Sequence, residues 1–132
     1  MAGAAAYDNK LLEITLMVSG NDLSAASDQF IFVKCGNTEG DVVPAAAGDC
    51  PLGISQETGK DGESIGICVA GISKIRLAGT VKRGNILNVY TGANVGTAVR
   101  SDQASEAIGA MALMDGSSGD VISCLLIQGF SS

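Results

Sequence analysis

The chain has 132 residues, with 8 Lys or Arg, 14 Asp or Glu and no His, so its formal net charge is −6. Hydrophobic residues make up 46% and aromatic residues only 4%, which excludes a disordered chain and predicts one domain with an aliphatic core. The acidic balance argues against nucleic acid and anionic membranes as partners, since both require positive potential. Without His, Ser-His and Cys-His dyads and mixed Cys/His zinc sites are also excluded.

The N-terminal residues are small and polar, and Tyr7 is the one with apolar surface to bury. We predict a flexible N-terminal arm over residues 1–10, followed by a single β-rich domain over residues 11–132. The N-terminus lacks the basic and apolar regions of a signal peptide, and no run approaches the length of a membrane span.

Short apolar runs follow the arm, and the first of them alternates apolar and polar positions from Leu11 to Val18. A polar connection with one helical turn comes next. Further runs lie at residues 30–34, 52–54, 65–70, 72–77, 84–90, 98–100, 108–110 and 121–127. With 18 Gly to supply turns, these runs predict an all-β fold of about eight to ten short strands, as a small β-barrel or sandwich.

One pattern occurs twice. Residues 51–71 read as strand, Gly-rich turn and strand ended by Gly71, and residues 108–129 repeat this order. Gly62-Glu63 in the first copy corresponds to Gly119-Asp120 in the second, each placing an acidic residue directly before a strand. Two such units indicate a scaffold, since neither copy supplies a nucleophile with a base beside it.

Charge is distributed unevenly. Residues 72–101 contain five basic residues and no acidic one, which leaves 3 basic and 14 acidic residues elsewhere. A chain polarised in this way could dock head to tail with copies of itself or bind a surface of fixed sign. Alternatively, these side chains solvate one strand face.

The four cysteines form no CxxC pair and show no zinc-type spacing. Cys68 and Cys124 lie inside apolar runs, where a free thiol behaves as a small buried hydrophobe. We expect reduced thiols and no disulfide.

Two patterns resemble catalytic or binding motifs but depart from them. Residues 53–61 resemble a phosphate-binding loop, but the glycine spacing is one residue too long and Asp61 stands where a Ser or Thr belongs. Ser73 and Lys74 are adjacent in a predicted strand and therefore point to opposite faces, so they cannot form a Ser-Lys dyad. Lys82 is the other lysine near enough in sequence to be considered.

Acidic residues offer two further interpretations. Glu57 with Asp61 or Glu63 could flank a glycosidic bond, but the turn lacks aromatic residues to stack a sugar. A calcium site from acids of the two turns lacks the alternation of an EF-hand. We therefore expect no enzyme, no metal and no cofactor.

The run from Val121 to Ile127 is apolar at both alternating sets of positions. Such a strand is either central in a sheet or covered by a partner. If a partner covers it, Leu126 is a candidate contact in an oligomer.

Three phrases of the sequence form a further pattern: LGIS…GKDGESIGICVAGISKI, KRGNIL and AIGAMAL…SGDVISCLLI, including a Gly-(Asp/Asn)-x-Leu step at Gly84 to Leu87. These phrases resemble the small capsid decoration, or cement, proteins of tailed phages. The similarity covers about residues 41–127.

The resemblance implies a β-rich, β-tulip-like fold, a homotrimer, and a place on the outer surface of an icosahedral head, where the protein cements capsomers. The implied partners are the major capsid protein and further copies of the chain. We expect Met1 to Leu12 to order on a neighbour. The candidate contact residues are Tyr7, Leu11, Leu12, Lys74, Arg76, Lys82, Arg83 and Leu126. The alternative is a glycan- or host-surface-binding module displayed on the virion, using Tyr90 and the Gly/Asn-rich loop Thr91 to Thr97.

Overall fold

A computed structural model of the chain describes residues 5–20, 22–46, 48–90, 96–100 and 107–130. Nine strands form one hydrogen-bonded sheet, and one 3₁₀ turn at Ala26–Asp28 lies between the first two strands. The strands are β1 (Asn9–Val18), β2 (Phe32–Cys35), β3 (Asp41–Pro44), β4 (Gly53–Ser55), β5 (Ser64–Arg76), β6 (Ile86–Val89), β7 (Ala98–Arg100), β8 (Ala107–Ala112) and β9 (Val121–Phe130). The all-β prediction is confirmed, with nine strands.

The first five strands form a closed circuit of pairings. β1 pairs in parallel with β3 through Met17 and Val18, and it pairs antiparallel with β5 along nearly its whole length. Antiparallel pairings of β3 with β2, β2 with β4 and β4 with β5 complete the circuit. The side chains that alternate inward along these strands therefore enclose a small core.

The second half of the chain repeats this circuit. β5 pairs antiparallel with β9, β9 with β8, β8 with β6, and β6 with β7. A parallel bridge between Leu77 and Ala98 returns β7 to the end of β5, and the Ala78 amide donates to the Ala98 carbonyl at 2.8 Å. We call residues 9–70 the first repeat and residues 71–130 the second repeat, so that β5 belongs to both.

Hydrogen bonds of the turns confirm the correspondence that the sequence predicts. The Gly62 amide donates to the Val18 carbonyl at 2.7 Å, and the Gly119 amide donates to the Leu77 carbonyl at 2.9 Å. Gly62 has φ 92° and Gly119 has φ 89°, a left-handed conformation that favours glycine. The acidic residue after each glycine accepts a bond from the amide three positions earlier, at 2.6 Å for Glu63 and 2.8 Å for Asp120. The two turns are therefore built by the same local bonds.

The prediction that Gly71 ends a strand is wrong, because β5 continues through it from Ser64 to Arg76. Gly71 has φ 98°, and a Cβ there would lie 2.6 Å from the Leu11 amide nitrogen. The pairing register between β1 and β5 shifts at this point. Gly71 therefore allows a bulge inside one long strand, which joins the two repeats instead of separating them.

Each repeat has its own apolar core. In the first repeat the buried cluster is Val18, Leu23, Ile31, Val33, Val42, Ile65 and Ile67. The second repeat contributes Ile75, Leu77, Val81, Leu87, Val89, Ala98, Ala110, Ala112, Ile122 and Cys124 to the other cluster. Phe32 and Ile54 of the first repeat are part of this second cluster, so one repeat packs into the other. The predicted aliphatic core is confirmed as two adjoining clusters.

Phe32 joins the repeats through backbone and side chain. Its amide donates to the Gly96 carbonyl at 2.7 Å, and its ring leaves no room beside Gly109, where a Cβ would lie 2.5 Å from a ring carbon. The neighbouring Phe30 carbonyl accepts a bond from the Arg76 amide at 2.8 Å. The seam between the repeats is therefore closely packed and hydrogen-bonded.

The N-terminal segment lies against β9. The Tyr7 amide donates to the Ser123 hydroxyl oxygen at 2.7 Å, and that hydroxyl donates to the Tyr7 carbonyl at 2.7 Å. Asn9 and Lys10 are the first residues of β1 and pair with Ile72 and Gly71. Residues 1–4 of the predicted arm lie outside the described residues, and the division into a flexible arm and one domain stays a prediction.

Replacing Gly109 with Ala should destabilise the fold, because the new methyl group would overlap the buried Phe32 ring. Overpacking of this kind costs about 1–3 kcal/mol. Urea unfolding followed by circular dichroism measures the loss. Gly79→Ala is the matched control, since a Cβ at Gly79 meets only Val99, at 3.7 Å. Equal free energies of unfolding for the two variants would contradict the described seam.

Candidate interaction surface

Three of the candidate contact residues expose apolar side chains at the start of the chain. Tyr7 is 48% exposed, Leu11 77% and Leu12 52%. The bulge opposite Gly71 places both leucines on the outside of β1, whereas Ile14 and Leu16 further along pack against the core of the first repeat. Adjacent large apolar residues with this exposure are a candidate contact for a partner.

Lys74 and Arg76 make contacts within the chain. The Lys74 ammonium lies 5.8 Å from the centre of the Phe30 ring, a cation–π distance. The Arg76 guanidinium donates to the Ala26 carbonyl at 3.2 Å and to the Gln29 carbonyl at 3.4 Å. Both side chains are half-buried. They fasten the segment around the 3₁₀ turn of the first repeat to the strand shared by both repeats.

Phe30 in that segment has φ 64°, a left-handed conformation that is rare for a residue with a bulky side chain. The strain is held by its neighbours, because the Phe30 amide donates to the Ser55 carbonyl at 2.9 Å and its carbonyl accepts from Arg76. The segment is thus fixed by bonds to both repeats.

Lys82 and Arg83 form an exposed turn before β6. Their backbone amides are bonded, to the Asn85 side-chain oxygen and to an Asp115 carboxylate oxygen, both at 2.8 Å. Among the described residues, neither side chain takes part in an ion pair with an acid. These two cations are therefore available to a partner, in contrast to Lys74 and Arg76.

Leu126 packs against the core of the second repeat, and the outward residue of this part of β9 is Leu125, with 37% exposure. Successive side chains of a strand point to opposite faces, so the core on one side fixes the other as external. The run from Val121 to Ile127 is apolar at both sets of positions, and periodicity alone could not separate the two leucines. Leu126, the candidate that the sequence names, therefore lies on the core side of β9, and its role as an oligomer contact stays a prediction.

Leu125 belongs to a row of apolar side chains on the outside of the second repeat. Leu125 pairs directly with Ile72 on β5 and with Met111 on β8, and Met111 pairs with Ile86 on β6. Directly paired residues place their side chains on the same face of a sheet. We call Ile72, Leu125, Met111 and Ile86 the outer row; Ile72, Met111 and Ile86 are half-buried.

Ser73, the serine considered for a Ser-Lys dyad, is buried and hydrogen-bonded within the chain. Ser73 is fully buried; its hydroxyl accepts a bond from the Gln56 amide group at 2.9 Å and donates to the Lys74 carbonyl at 3.0 Å. Among the residues that the structure describes, no three His, Cys, Asp or Glu side chains converge as a metal site. None of the described helical segments is long and apolar enough to span a membrane.

All four cysteines are free thiols. Cys68 and Cys124 are buried, as the sequence predicts, and Cys35 and Cys50 are exposed. Burial raises the pKa of Cys68 and raises that of Cys124 to about 12, because the thiolate would lose its hydration. The two buried thiols are therefore held in the neutral form.

Comparison with known proteins defines the fold class and one structural neighbour. No protein-family model and no curated protein matches the sequence. Among solved structures, the fold is similar to that of the head fiber gp8.5 N base of bacteriophage phi29, with a TM-score of 0.68 and 14% identity. It covers 88% of this chain and 93% of that one, so the likeness includes both repeats.

Replacing Arg76 with Ala should destabilise the fold, because the guanidinium holds two backbone carbonyls of the first repeat. We expect the free energy of unfolding to fall by about 1–2 kcal/mol, as for charge-assisted bonds at a partly exposed site. Chemical denaturation measures the change. Arg83→Ala is the matched control, since an exposed side chain without such bonds contributes less than about 0.5 kcal/mol. If Arg83→Ala costs as much as Arg76→Ala, the structural role assigned to Arg76 is wrong.

Proposed function

We propose that the chain is a structural protein of a tailed-phage virion that binds the outer surface of an icosahedral head and stabilises contacts between capsomers. It acts as a homotrimer, and its partners are the major capsid protein and further copies of itself. The observation that carries the proposal is the fold shared with the base of a phage head fibre over 88% of the chain. The sequence resemblance to decoration proteins supports the same class of function.

The structure is suited to such a role in two respects. The two repeats form a hydrogen-bonded body in which even the exposed Lys60 to Glu63 turn is held by a 2.6 Å bond. Partners are met by apolar side chains outside this body, above all Leu11 and Leu12. In this proposal the chain has no catalytic role and needs no cofactor.

The capsid contact is assigned to the start of β1, with Tyr7, Leu11 and Leu12 as apolar contacts and Lys82 and Arg83 as charged ones. Large exposed side chains on a short segment give a partner apolar area to bury. The part of the arm before Tyr7 adds backbone that orders on the neighbour. Leu11 and Leu12 lie outside the outer row, whereas the Tyr7 backbone bonds to Ser123, two residues before Leu125 on β9.

A test uses phage heads from the source that lack this protein, mixed with the purified chain and sedimented. The wild type should co-sediment, and the double substitution Leu11→Asp, Leu12→Asp should bind at least tenfold more weakly, because two exposed apolar contacts become charged. Met17→Asp is the matched control on the same strand, since Met17 is also exposed, at 44%. Failure of the wild type to bind heads would refute the decoration role. Equal binding by the double variant would refute only the assigned contact.

The alternative is a glycan- or host-surface-binding module carried on the virion. It is favoured by one observation, that the structural neighbour is a component of a head fibre. Tyr90 is half-buried and its amide donates to the Thr97 carbonyl at 2.8 Å, but residues 91–95 of the proposed binding loop lie outside the described residues. Binding to host cells or glycans without binding to heads would favour this alternative.

A further inference from the structure

We propose that the outer row of the second repeat is a docking surface for the first repeat of a second copy of this chain. The inference rests on the self-association that the proposed function includes, and it names the surface that carries it. It follows from comparing the same row of positions in the two repeats.

The outer row has a counterpart in the first repeat at Glu13, Cys68, Ile54 and Phe32. Glu13 pairs with Cys68, Cys68 with Ile54, and Ile54 with Phe32. These pairings reproduce, strand for strand, the order that joins Ile72, Leu125, Met111 and Ile86 across the second repeat. The two rows therefore occupy equivalent places on the outside of equivalent circuits.

The two rows differ in burial. Cys68, Ile54 and Phe32 have no exposed surface, whereas Glu13 at the β1 end of the row is exposed. Phe32 and Ile54 are covered because the second repeat packs over them, within its own apolar cluster. In the second repeat the equivalent Leu125 is 37% exposed, and Met111 and Ile86 are half-buried. The second repeat thus covers Phe32 and Ile54 on this face of the first repeat, whereas the outer row of the second repeat is only partly covered.

The residues of the outer row are suited to being covered. Ile72 stands where the first repeat has Glu13, so all four positions of the outer row are apolar and uncharged. In proteins built from repeats, stacking of neighbours buries a continuous core, and the outer face of a terminal repeat is commonly polar. An apolar terminal face is therefore explained by a further repeat unit that packs on it.

The net charges of the two repeats indicate which repeat of a second copy docks on the outer row. The first repeat contains three basic and nine acidic residues, and the second repeat five basic and four acidic ones, so their net charges are −6 and +1. Contact between two first repeats would bring like charges together. Contact between the second repeat of one copy and the first repeat of another is the complementary arrangement.

One aligned pair of positions shows the same contrast. The Phe30 amide donates to the Ser55 carbonyl, and the Gly84 amide donates to the Ala112 carbonyl at the equivalent place in the second repeat. These bonds align Asp28, two residues before Phe30, with Lys82, two residues before Gly84. The two repeats thus share one backbone arrangement, but the first repeat has a negative net charge and the second a positive one. A contact between unlike ends is heterologous and closes into a ring when the rotation allows it.

The test is the mass of the chain in solution, measured by size-exclusion chromatography with light scattering in 50 mM salt. We expect the wild type to show a multiple of the 13.2 kDa chain mass. Leu125→Lys should raise the dissociation constant of the oligomer at least tenfold, so that the measured mass falls toward 13.2 kDa. Ser118→Lys is the matched control, because it adds the same charge at an exposed position of the second repeat outside the outer row. It should leave the wild-type mass unchanged. Raising the salt to 500 mM should weaken the wild-type association.

A monomeric wild type at these conditions overturns the inference, while head binding in the sedimentation assay is judged separately. An oligomer that Leu125→Lys leaves intact, or that Ser118→Lys dissociates equally, overturns the assignment to the outer row. An oligomer insensitive to salt overturns the pairing with the first repeat. Circular dichroism checks the fold of each variant, and Leu125→Ser replaces Leu125→Lys under the same criteria if the lysine variant does not fold.

Discussion

The structure depends on one long strand that serves two circuits of pairings. Along β5, Cys68 pairs with both Glu13 and Ile54, and Ile72 pairs with both Asn9 and Leu125. β1 therefore occupies one edge of β5, and β4 and then β9 occupy the other. Gly71 allows the bulge between these two parts at φ 98°. Without that residue the strand would be interrupted where the two repeats are joined.

The shared strand also explains how a chain with so few aromatic residues makes a stable body. Each circuit encloses a small aliphatic cluster, and small cores bury a limited fraction of their surface. Packing Phe32 and Ile54 of the first repeat into the cluster of the second joins them into a larger buried volume. Arg76 and Lys74 then hold the neighbouring segment from outside. Apolar burial and charge-assisted bonds therefore stabilise the same seam.

Much of this fold could be predicted from the sequence because its signals are local. Alternation identifies β1, and the pairs Gly62-Glu63 and Gly119-Asp120 identify equivalent turns, in which each acidic side chain bonds to the amide three positions earlier. The continuity of β5 could not be predicted from the sequence, because a glycine after an apolar run usually indicates the end of a strand. The bulge at Leu11 on the opposing strand, which Gly71 accommodates, is visible only in the structure. The strand Asp41–Pro44 is absent from the predicted runs, because Pro44 disfavours a central strand. In the structure Pro44 is the last residue of β3 and pairs with Val33 of β2.

The candidate surface was predicted only in part, because exposure depends on which face a core occupies. Tyr7, Leu11 and Leu12 are exposed as a contact role requires, but Arg76 is engaged with carbonyls that lie about fifty residues earlier in the chain. The choice between Leu125 and Leu126 required the side of β9 on which the core lies. Such facts arise from tertiary packing and have no local signature.

The copy number of this chain in purified particles from its source tests most directly the proposal that it is a structural component of phage heads. Quantitative mass spectrometry against the major capsid protein gives the ratio. The account predicts a fixed stoichiometry of hundreds of copies per particle, on the order expected when a small protein covers repeated capsomer contacts. A handful of copies would contradict decoration and favour a fibre or receptor-binding role, and absence from the particles would contradict a virion role altogether.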